Sequence, residues 1–313
     1  MTGLLTCVIP SADPRHLRQT VDDLFRNAAG ELQVIVSAEG YDPQLPARAG
    51  LTVLVHPRLG MRGALNAARA HVRGDWYMKC DEHCGFAAGF DEVVKADCPD
   101  HTMLIPRRFS WDAENWCIER NPKGPRDFHL LTSPVWSIRE RHDYSIQGYE
   151  WAERTRERSH WQGYDGPLTE DCVDETMSLQ GSCYVMTRAH YERLGPLQEA
   201  GYGTFAQEPQ ELGLKTQLGG GRMLTTKRTW YGHLHKGKKY GRGYRPDRAE
   251  IAAGHEYSAW LWMNHPGMKD FITKWWPIPT WPSDTLENWE KYFPKDATLE
   301  QLKAAALEGW TRG

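Results

Sequence analysis

Residues 76–84 read Trp-Tyr-Met-Lys-Cys-Asp-Glu-His-Cys, a mostly apolar run that is followed at once by acidic and histidine side chains. We interpret residues 76–80 as a buried strand, the fourth in a series that includes the apolar runs 4–9, 32–36 and 51–55. Helical patterns alternate with these strands, which predicts an α/β fold around a mostly parallel sheet. Ligands of such sheets bind beyond the carboxyl ends of the strands. The residues after Cys80 are therefore expected to lie in a functional site.

Local signals place several other elements. Asp13 is followed by a proline, which suits the start of a helix with an N-cap side chain and a proline at the first helical position. A second helix is predicted over residues 60–72. Farther along, an apolar strand is predicted over 181–186, and helices are predicted over 189–194 and 208–218.

The domain organisation follows from where the alternation of predicted strands and helices stops. We predict one domain over residues 1–265, with an irregular insertion at about 110–176 that is rich in Trp, Arg and Glu and shapes a pocket. Residues 275–282 contain three tryptophans and three prolines, and this excludes a regular helix or a central strand. Residues 266–313 are therefore expected to form a Trp- and Pro-rich extension that packs on the domain with its indoles buried.

Composition limits the class of protein. The chain has 313 residues and a net charge of −3, so a nucleic-acid partner would need a local basic patch. The N-terminal residues lack the features of a secretory signal, and no apolar stretch is long enough to span a bilayer. The seven cysteines do not follow a disulfide-framework spacing. These features predict a soluble protein of a reducing cytoplasm that does not bind a membrane.

The segment after the fourth strand offers two metal sites. Asp81 and His83 supply an oxygen and a nitrogen ligand one residue apart, and such ligands suit Mn²⁺ or a similar ion. Alternatively, Cys80, His83 and Cys84 could hold zinc, although zinc sites normally use a second pair of cysteines that this chain lacks. Cys80, as the last residue of a strand, is also expected to face the core. A solvated turn without any metal is a third interpretation.

Two blocks of sequence resemble the polypeptide N-acetylgalactosaminyltransferases. Arg58-Leu59-Gly60, a helix, a strand and Asp81-Glu82-His83-Cys84 are similar to that family's Arg-Ser-Gly and Asp-x-His-Cys at the same spacing. Residues 205–212 are similar to the family's Trp-Gly-Gly-Glu-Asn-Leu-Glu-Ile, and the match continues in register to Tyr231-Gly232-His233, where the family has Val-Gly-His. The resemblance covers about residues 4–108 and 177–265.

This resemblance implies a metal-dependent glycosyltransferase of GT-A fold, a Rossmann-like α/β architecture, that retains the anomeric configuration of the sugar. It implies that Asp81, His83 and His233 bind Mn²⁺, or another divalent cation such as Mg²⁺, which neutralises the leaving diphosphate of a nucleotide sugar. A surface histidine in a basic loop is the alternative for His233. Glu208 is expected in the sugar and acceptor pocket and, with Asp81, is a candidate catalytic residue. No general base is assigned.

The donor is expected to be a UDP-sugar. The family places aspartates after the second strand to bind uracil, and this chain has Glu39 there instead. Arg62 and Glu211 each have an alternative to donor binding. Arg62 could be a solvated cation at the start of a helix, and Glu211 could be a favourable acidic charge in the first turn of a helix. The residues expected to bind the donor are Arg58, Gly60, Glu39, Arg62, Glu211, Lys236, Tyr240 and Arg242.

The acceptor is the least defined part of the hypothesis. The basic loop 236–248 and five arginines of the insertion favour DNA that carries 5-hydroxymethylpyrimidine, as in bacteriophage DNA modified in the host cytoplasm, with aromatic side chains that stack on an extruded base. The alternative acceptor is a bacterial glycan or protein. A catalytically inactive nucleotide-sugar-binding module is the alternative of another class, against which the intact Asp81, His83 and His233 argue. The five arginines are Arg139, Arg141, Arg154, Arg156 and Arg158.

Overall fold

The computed structural model describes residues 3–120, 124–163, 172–241 and 247–310. The strands are β1 (Leu5–Ser11), β2 (Leu32–Glu39), β3 (Leu51–His56), β4 (Trp76–Cys80), β5 (Cys84–Phe86), β6 (Thr102–Asp112), β7 (Cys117–Ile118), β8 (His129–Leu131), β9 (Gly148–Glu150), β10 (Val173–Glu175), β11 (Cys183–Thr187) and β12 (Arg222–His233). The helices are α1 (Leu17–Asn27), α2 (Gly60–Ala68), α3 (Phe90–Asp97), α4 (Pro134–Arg141), α5 (Ala152–Arg158), α6 (Arg188–Leu194), α7 (Glu208–Leu218), α8 (Gly237–Tyr240), α9 (Arg248–Met263), α10 (Met268–Trp275), α11 (Trp289–Tyr292) and α12 (Leu299–Trp310).

A large mixed sheet forms the centre of the protein, with the strand order β10-β12-β6-β11-β4-β1-β2-β3. The half that contains β4, β1, β2 and β3 is parallel, and β12 also runs parallel to β6. Strand β11 is antiparallel to both β4 and β6 and joins the two halves. The predicted α/β class with a mostly parallel sheet is therefore confirmed.

Burial explains why the first strands read as continuous apolar runs. Every residue of β1 and β2 is buried, as expected for parallel strands that are covered on both faces. Strand β1 does not stop at Pro10 but pairs on to Ser11 against β2. Proline is tolerated there because β4 pairs only with residues up to Val8, which leaves that side of the strand end free of the ladder.

The first helix starts later than the sequence predicts. It begins at Leu17, and the carboxylate of Asp13 does not cap it. Asp13 instead accepts hydrogen bonds from the backbone N and the Nε of Arg15, at 3.2 and 2.9 Å. By contrast, the predicted helix 208–218 agrees with α7, and the predicted helix 60–72 is α2 followed by a 3₁₀ turn at Arg69–His71.

The insertion and the C-terminal region share one hydrophobic core. That core contains Phe128, Leu130 and Trp151 from the insertion together with Trp275, Trp281 and other residues from the C-terminal region. The indole Nε1 of Trp281 donates a hydrogen bond to the carbonyl oxygen of Leu131 at 2.8 Å. In the C-terminal region, Trp275 and Trp281 are 7% and 5% exposed.

The insertion is more regular than its sequence suggests. It contains β7 to β10 and the helices α4 and α5, and β10 joins the edge of the main sheet beside β12. Residues on both sides of position 265 belong to the same hydrophobic core. The C-terminal extension therefore has no separate core that begins at the predicted boundary. No helix in the described part of the chain is both long and apolar enough to cross a bilayer.

Candidate metal and donor site

The sheet topology brings two distant pieces of chain to one point. Asp81 and His83 follow β4, and His233 is the last residue of β12, where it pairs with Cys84 of β5. One ligand atom each from Asp81, His83 and His233 lie within 4.8 Å of one another. The Nε2 atoms of the two imidazoles are 3.0 Å apart, and Nε2 of His233 lies 3.2 Å from Oδ2 of Asp81.

These separations fit a divalent cation. Neighbouring ligands of an octahedral ion with bonds of about 2.1 Å are about 3.0 Å apart. The third separation, 3.9 Å between Nε2 of His83 and Oδ2 of Asp81, is wider but still within reach of one ion. His83 and His233 are only 7% and 5% exposed, so the alternative of a surface histidine at position 233 is wrong. A metal bound between these side chains would sit at the carboxyl end of β4.

Lys79 controls the charge of Asp81. Its Nζ lies 2.6 Å from Oδ1 of Asp81 and 2.5 Å from the carbonyl oxygen of Gly181. Burial raises the pKa of Asp81, but Lys79 and the nearby His233 outweigh this effect and hold that pKa well below its usual range. Burial also lowers the pKa of His233 well below its usual value. Asp81 is therefore ionised and His233 neutral near pH 7, the states that a metal requires.

The zinc alternative does not fit the structure. Cys80 and Cys84 are both buried in the apolar core, and burial raises the pKa of both thiols. The Sγ of Cys84 points toward the carbonyl oxygen of Ser182 at 3.9 Å. Among the residues that the structure describes, the converging metal-ligating group contains His83 with Asp81 and His233 and contains no cysteine.

A cleft of about 510 Å³ opens beside this group. Its lining includes Asp81, His83, Gly181 and Glu208. Gly181 has no room for a side chain, because an added Cβ would lie 2.8 Å from Oε2 of Glu208. The cleft thus brings the metal-ligating group and a buried carboxyl group to one space.

Glu208 is fixed in place at the start of α7. It is 1% exposed, and its Oε1 accepts a hydrogen bond from the hydroxyl of Tyr184. Burial raises the pKa of Glu208, while Lys79 and Tyr184 act in the opposite direction. The side chain is therefore rigid and in a water-poor environment, where it can orient hydroxyl groups of a ligand.

Three of the predicted donor residues line the cleft near α2. Arg58 is exposed there. Glu39 lines the cleft too, but its Oε2 accepts hydrogen bonds from the backbone N of Leu59, at 2.9 Å, and of Gly60. Gly60 has a φ of +76°, and an added Cβ would lie 2.3 Å from Cβ of Thr204. The close approach that Gly60 permits is therefore to Thr204.

The structure places Arg62 and Glu211 outside the lining of the cleft, which argues against their predicted role in donor binding. Both are buried, at 0% and 1% exposure, and their side chains form an ion pair with each other outside the cleft lining. Arg62 also donates hydrogen bonds to the carbonyl oxygens of Ala206 and Gln198, both at 2.8 Å. Local spacing could not reveal this pair, because the partners are far apart in the sequence.

Replacing Arg62 with methionine should lower the free energy of unfolding by about 3 kcal/mol, because it leaves the Glu211 carboxylate buried without its main partner. The double variant with Glu211→Met should recover at least half of that loss. Urea unfolding measures both values. Near-normal stability of Arg62→Met together with weaker nucleotide binding would contradict this structural role and restore the original prediction.

The predicted loop after His233 is tied to the site through Lys236. Its Nζ lies 2.8 Å from Oε1 of Glu82 and 3.1 Å from Oδ2 of Asp13. The Lys236 ammonium group is therefore occupied by carboxylates rather than directed to a diphosphate. Tyr240 packs edge-on against His16, and its hydroxyl lies 3.3 Å from Glu114, away from the cleft lining. Arg242 lies outside the described residues.

Sequence reasoning missed several residues of the site. The sequence could have indicated Lys79, because it is a lysine within a strand whose other residues are apolar. No feature of the sequence singles out Gly181 or Tyr184, because a glycine before a strand and a tyrosine within a strand are common. Asp247, Glu250 and His255 also line the cleft, and they reach it from α9 or from the residue that precedes it.

Comparisons with known proteins now bear on the fold. GalNAc-T7, solved with UDP, GalNAc and Mn²⁺, superposes with a TM-score of 0.62 over 99% of this chain, at 13% identity. The chain has the GT-A glycosyltransferase fold. Residues 1–349 of TarS from S. aureus, solved with UDP-GlcNAc, superpose with a TM-score of 0.50 over 96% of this chain and 79% of that TarS fragment, at 11% identity.

These similarities concern the fold. The chain spans 58% of the length of GalNAc-T7. No protein-family model matches the sequence, and no curated protein matches it. The GT-A fold nonetheless confirms the architecture that the two sequence blocks predicted, and it places Asp81 and His233 at the same end of the same sheet.

Proposed function

We propose that this chain is a metal-dependent glycosyltransferase that moves a sugar from a UDP-sugar to an acceptor hydroxyl with retention of configuration. The observation that carries the proposal is the convergence of Asp81, His83 and His233 beside a cleft that also contains Glu208. The fold neighbours GalNAc-T7 and TarS, solved with UDP or UDP-GlcNAc, support the same donor class.

Each side chain has a defined task in this proposal. Asp81, His83 and His233 would hold a divalent cation, whose chemistry is to neutralise charge on the leaving diphosphate. Lys79 fixes the Asp81 carboxylate through Oδ1 and leaves Oδ2 directed to the two histidines. Glu208, held by Tyr184, orients sugar or acceptor hydroxyls in the cleft.

The base of the donor is proposed to be uracil on the evidence of Glu39. Its Oε2 accepts hydrogen bonds from the backbone N of Leu59 and of Gly60, whereas its Oε1 has no donor among the described residues. A carboxylate oxygen that faces the cleft can accept from the N3–H of uracil, which cytosine lacks. Arg58, exposed in the same part of the cleft, would then lie near the phosphates.

For the acceptor, hydroxymethylated DNA remains a hypothesis from the sequence, with a bacterial glycan or protein as the alternative. The structure gives some of the insertion's five arginines partners within the chain: Arg158 pairs with Asp174 at 2.5 Å and Arg139 with Glu140 at 3.1 Å. Arg154 packs over the ring of Phe128, 5.2 Å from its centroid. These contacts do not favour a DNA-binding patch on the insertion, so the acceptor must be found by experiment.

The test is a screen of UDP-sugars with Mn²⁺, in which released UDP and transferred sugar mass are measured. We expect turnover with at least one UDP-sugar, loss of turnover with a chelator, and recovery when Mn²⁺ is added. Hydroxymethylated and unmodified DNA are separate acceptor arms, and NMR of the product gives its configuration. Turnover that persists without any divalent cation would contradict the proposal. Tight UDP binding without transfer in any arm would favour the inactive binding module.

A further inference from the structure

A second cavity of about 450 Å³ lies against the first and shares Gly148 and Gln180 with it. Its lining contains Arg108, Ser110 and Arg126 on one wall and His129 on another. Arg108 and Ser110 belong to β6, two residues apart and thus on the same face of the strand. Ser110 pairs with the metal-ligating candidate His233 across β6 and β12, so this cavity adjoins the proposed reaction centre.

Arg108 is a buried cation without a counterion. It is 4% exposed, and within the described residues its side chain donates hydrogen bonds only to neutral groups, at 2.9 Å to Oε1 of Gln180 and 3.2 Å to Nε2 of His129. Its Nε has no hydrogen-bond partner at all. Among the described residues, no carboxylate lies within ion-pair distance of its guanidinium group. A buried charge of this kind is costly unless an anion neutralises it.

The neighbouring charges do not supply that anion. Arg126 uses its Nε for Glu150 at 3.0 Å and its Nη1 for Ser110 at 3.0 Å, so the Glu150 carboxylate is already paired. His129 must accept from Arg108, because a guanidinium group can only donate, and this requires a neutral imidazole. Glu119 lies on the rim of the cavity with an exposed side chain. The interior of the cavity therefore keeps one uncompensated positive charge.

The adjacent Arg107, in contrast to Arg108, has a carboxylate partner. Its Nε and Nη2 form two parallel hydrogen bonds to the carboxylate of Asp127, at 2.9 and 2.7 Å. Arg107 faces the opposite side of β6, away from the cavity. The chain thus supplies a carboxylate to one of two consecutive buried arginines and leaves the other open to the cavity.

We propose that this cavity binds an oxyanion of the acceptor, a phosphate or carboxylate group, through the Arg108 guanidinium. Planar guanidinium groups bind such anions with paired hydrogen bonds. That the anion belongs to the acceptor rests on the proposed function, because the cavity adjoins the cleft through Gly148 and Gln180. The acceptor would then present its hydroxyl in the cleft while its anionic group sits beside Arg108.

The test needs neither donor nor metal, so its failure is distinct from failure of the proposed function. Inorganic phosphate and acetate are titrated into metal-free protein in separate arms, with chloride at matched ionic strength as reference. At about ten times the dissociation constant, the better of the two anions should raise the melting temperature by about 2 °C. The arm with the larger effect identifies whether phosphate or carboxylate is preferred.

Two variants assign that effect to a cavity. Arg108→Gln should lose the stabilisation, whereas Arg18→Gln, which removes an exposed cation of α1 outside both cavities, should keep it. Equal stabilisation of Arg108→Gln and the wild type, or no effect beyond chloride in the wild type, would overturn the proposal. If Arg108→Gln does not fold, wild-type crystals soaked in tungstate replace it. The proposal then requires an anomalous peak within hydrogen-bonding distance of Arg108, and peaks elsewhere alone would refute it.

Discussion

Replacing Asp81 with asparagine is expected to lower Mn²⁺ affinity and sugar transfer by at least about 100-fold. Removing a residue that only hydrogen-bonds to a metal ligand already lowers metal affinity or activity by up to about 100-fold, and Asp81 is proposed to be a ligand itself. The amide keeps the shape of the side chain but has no charge to offer a cation. It also leaves Lys79 buried without its carboxylate partner, at 2% side-chain exposure. Titration of Mn²⁺ by calorimetry and a UDP-release assay measure the two quantities.

The matched control for this variant is Asp22→Asn. Asp22 is a carboxylate with 47% side-chain exposure on α1 that pairs only with surface arginines. Its replacement should leave Mn²⁺ affinity and turnover unchanged, because exposed ion pairs contribute little. If Asp81→Asn folds normally and binds Mn²⁺ as tightly as the wild type, Asp81 does not ligate the metal.

Replacing Glu208 with glutamine should lower kcat by about 100-fold, the lower end of the effect of removing one group that stabilises charge in a transition state. Glutamine keeps the size of the side chain and can still accept the hydrogen bond from Tyr184. Binding of Mn²⁺ and UDP should be unchanged, since Glu208 is not one of the three candidate metal ligands. Single-turnover kinetics separates the chemical step from binding.

Glu192→Gln is the corresponding control, because Glu192 has a side-chain exposure of 67% on α6. It should behave as the wild type in both measurements. A Glu208→Gln variant with normal kcat and a raised KM would show that Glu208 only binds substrate. A variant that loses Mn²⁺ affinity would show instead that Glu208 supports the metal site.

The fold and the candidate residues Asp81, Glu208 and His233 could be predicted because each lies in a short sequence pattern, and because these patterns align in register with one family. The strand before Asp81, the helix that begins at Glu208 and the Gly-His pair at 232–233 each have a short pattern of their own. The resemblance joined these patterns across 150 residues, and the sheet pairing of β12 with β5 brings His233 beside His83 as that alignment implies.

The remaining residues depend on tertiary contacts that no local pattern reports. Arg62 looked like a free cation because its partner Glu211 is 149 residues away. Lys236 looked available to a diphosphate, but Glu82 and Asp13 lie on other elements and occupy it. Arg108 was not singled out, since only the structure shows that Arg107 has a carboxylate partner and Arg108 has none.

The most direct test of the account is a crystal structure with Mn²⁺ and UDP, recorded so that the anomalous signal of manganese locates the ion. We predict one ion within about 2.3 Å of Asp81, His83 and His233, with diphosphate oxygens completing its coordination. Manganese bound elsewhere, or a His233 imidazole turned away from Asp81 when UDP is bound, would contradict the central claim.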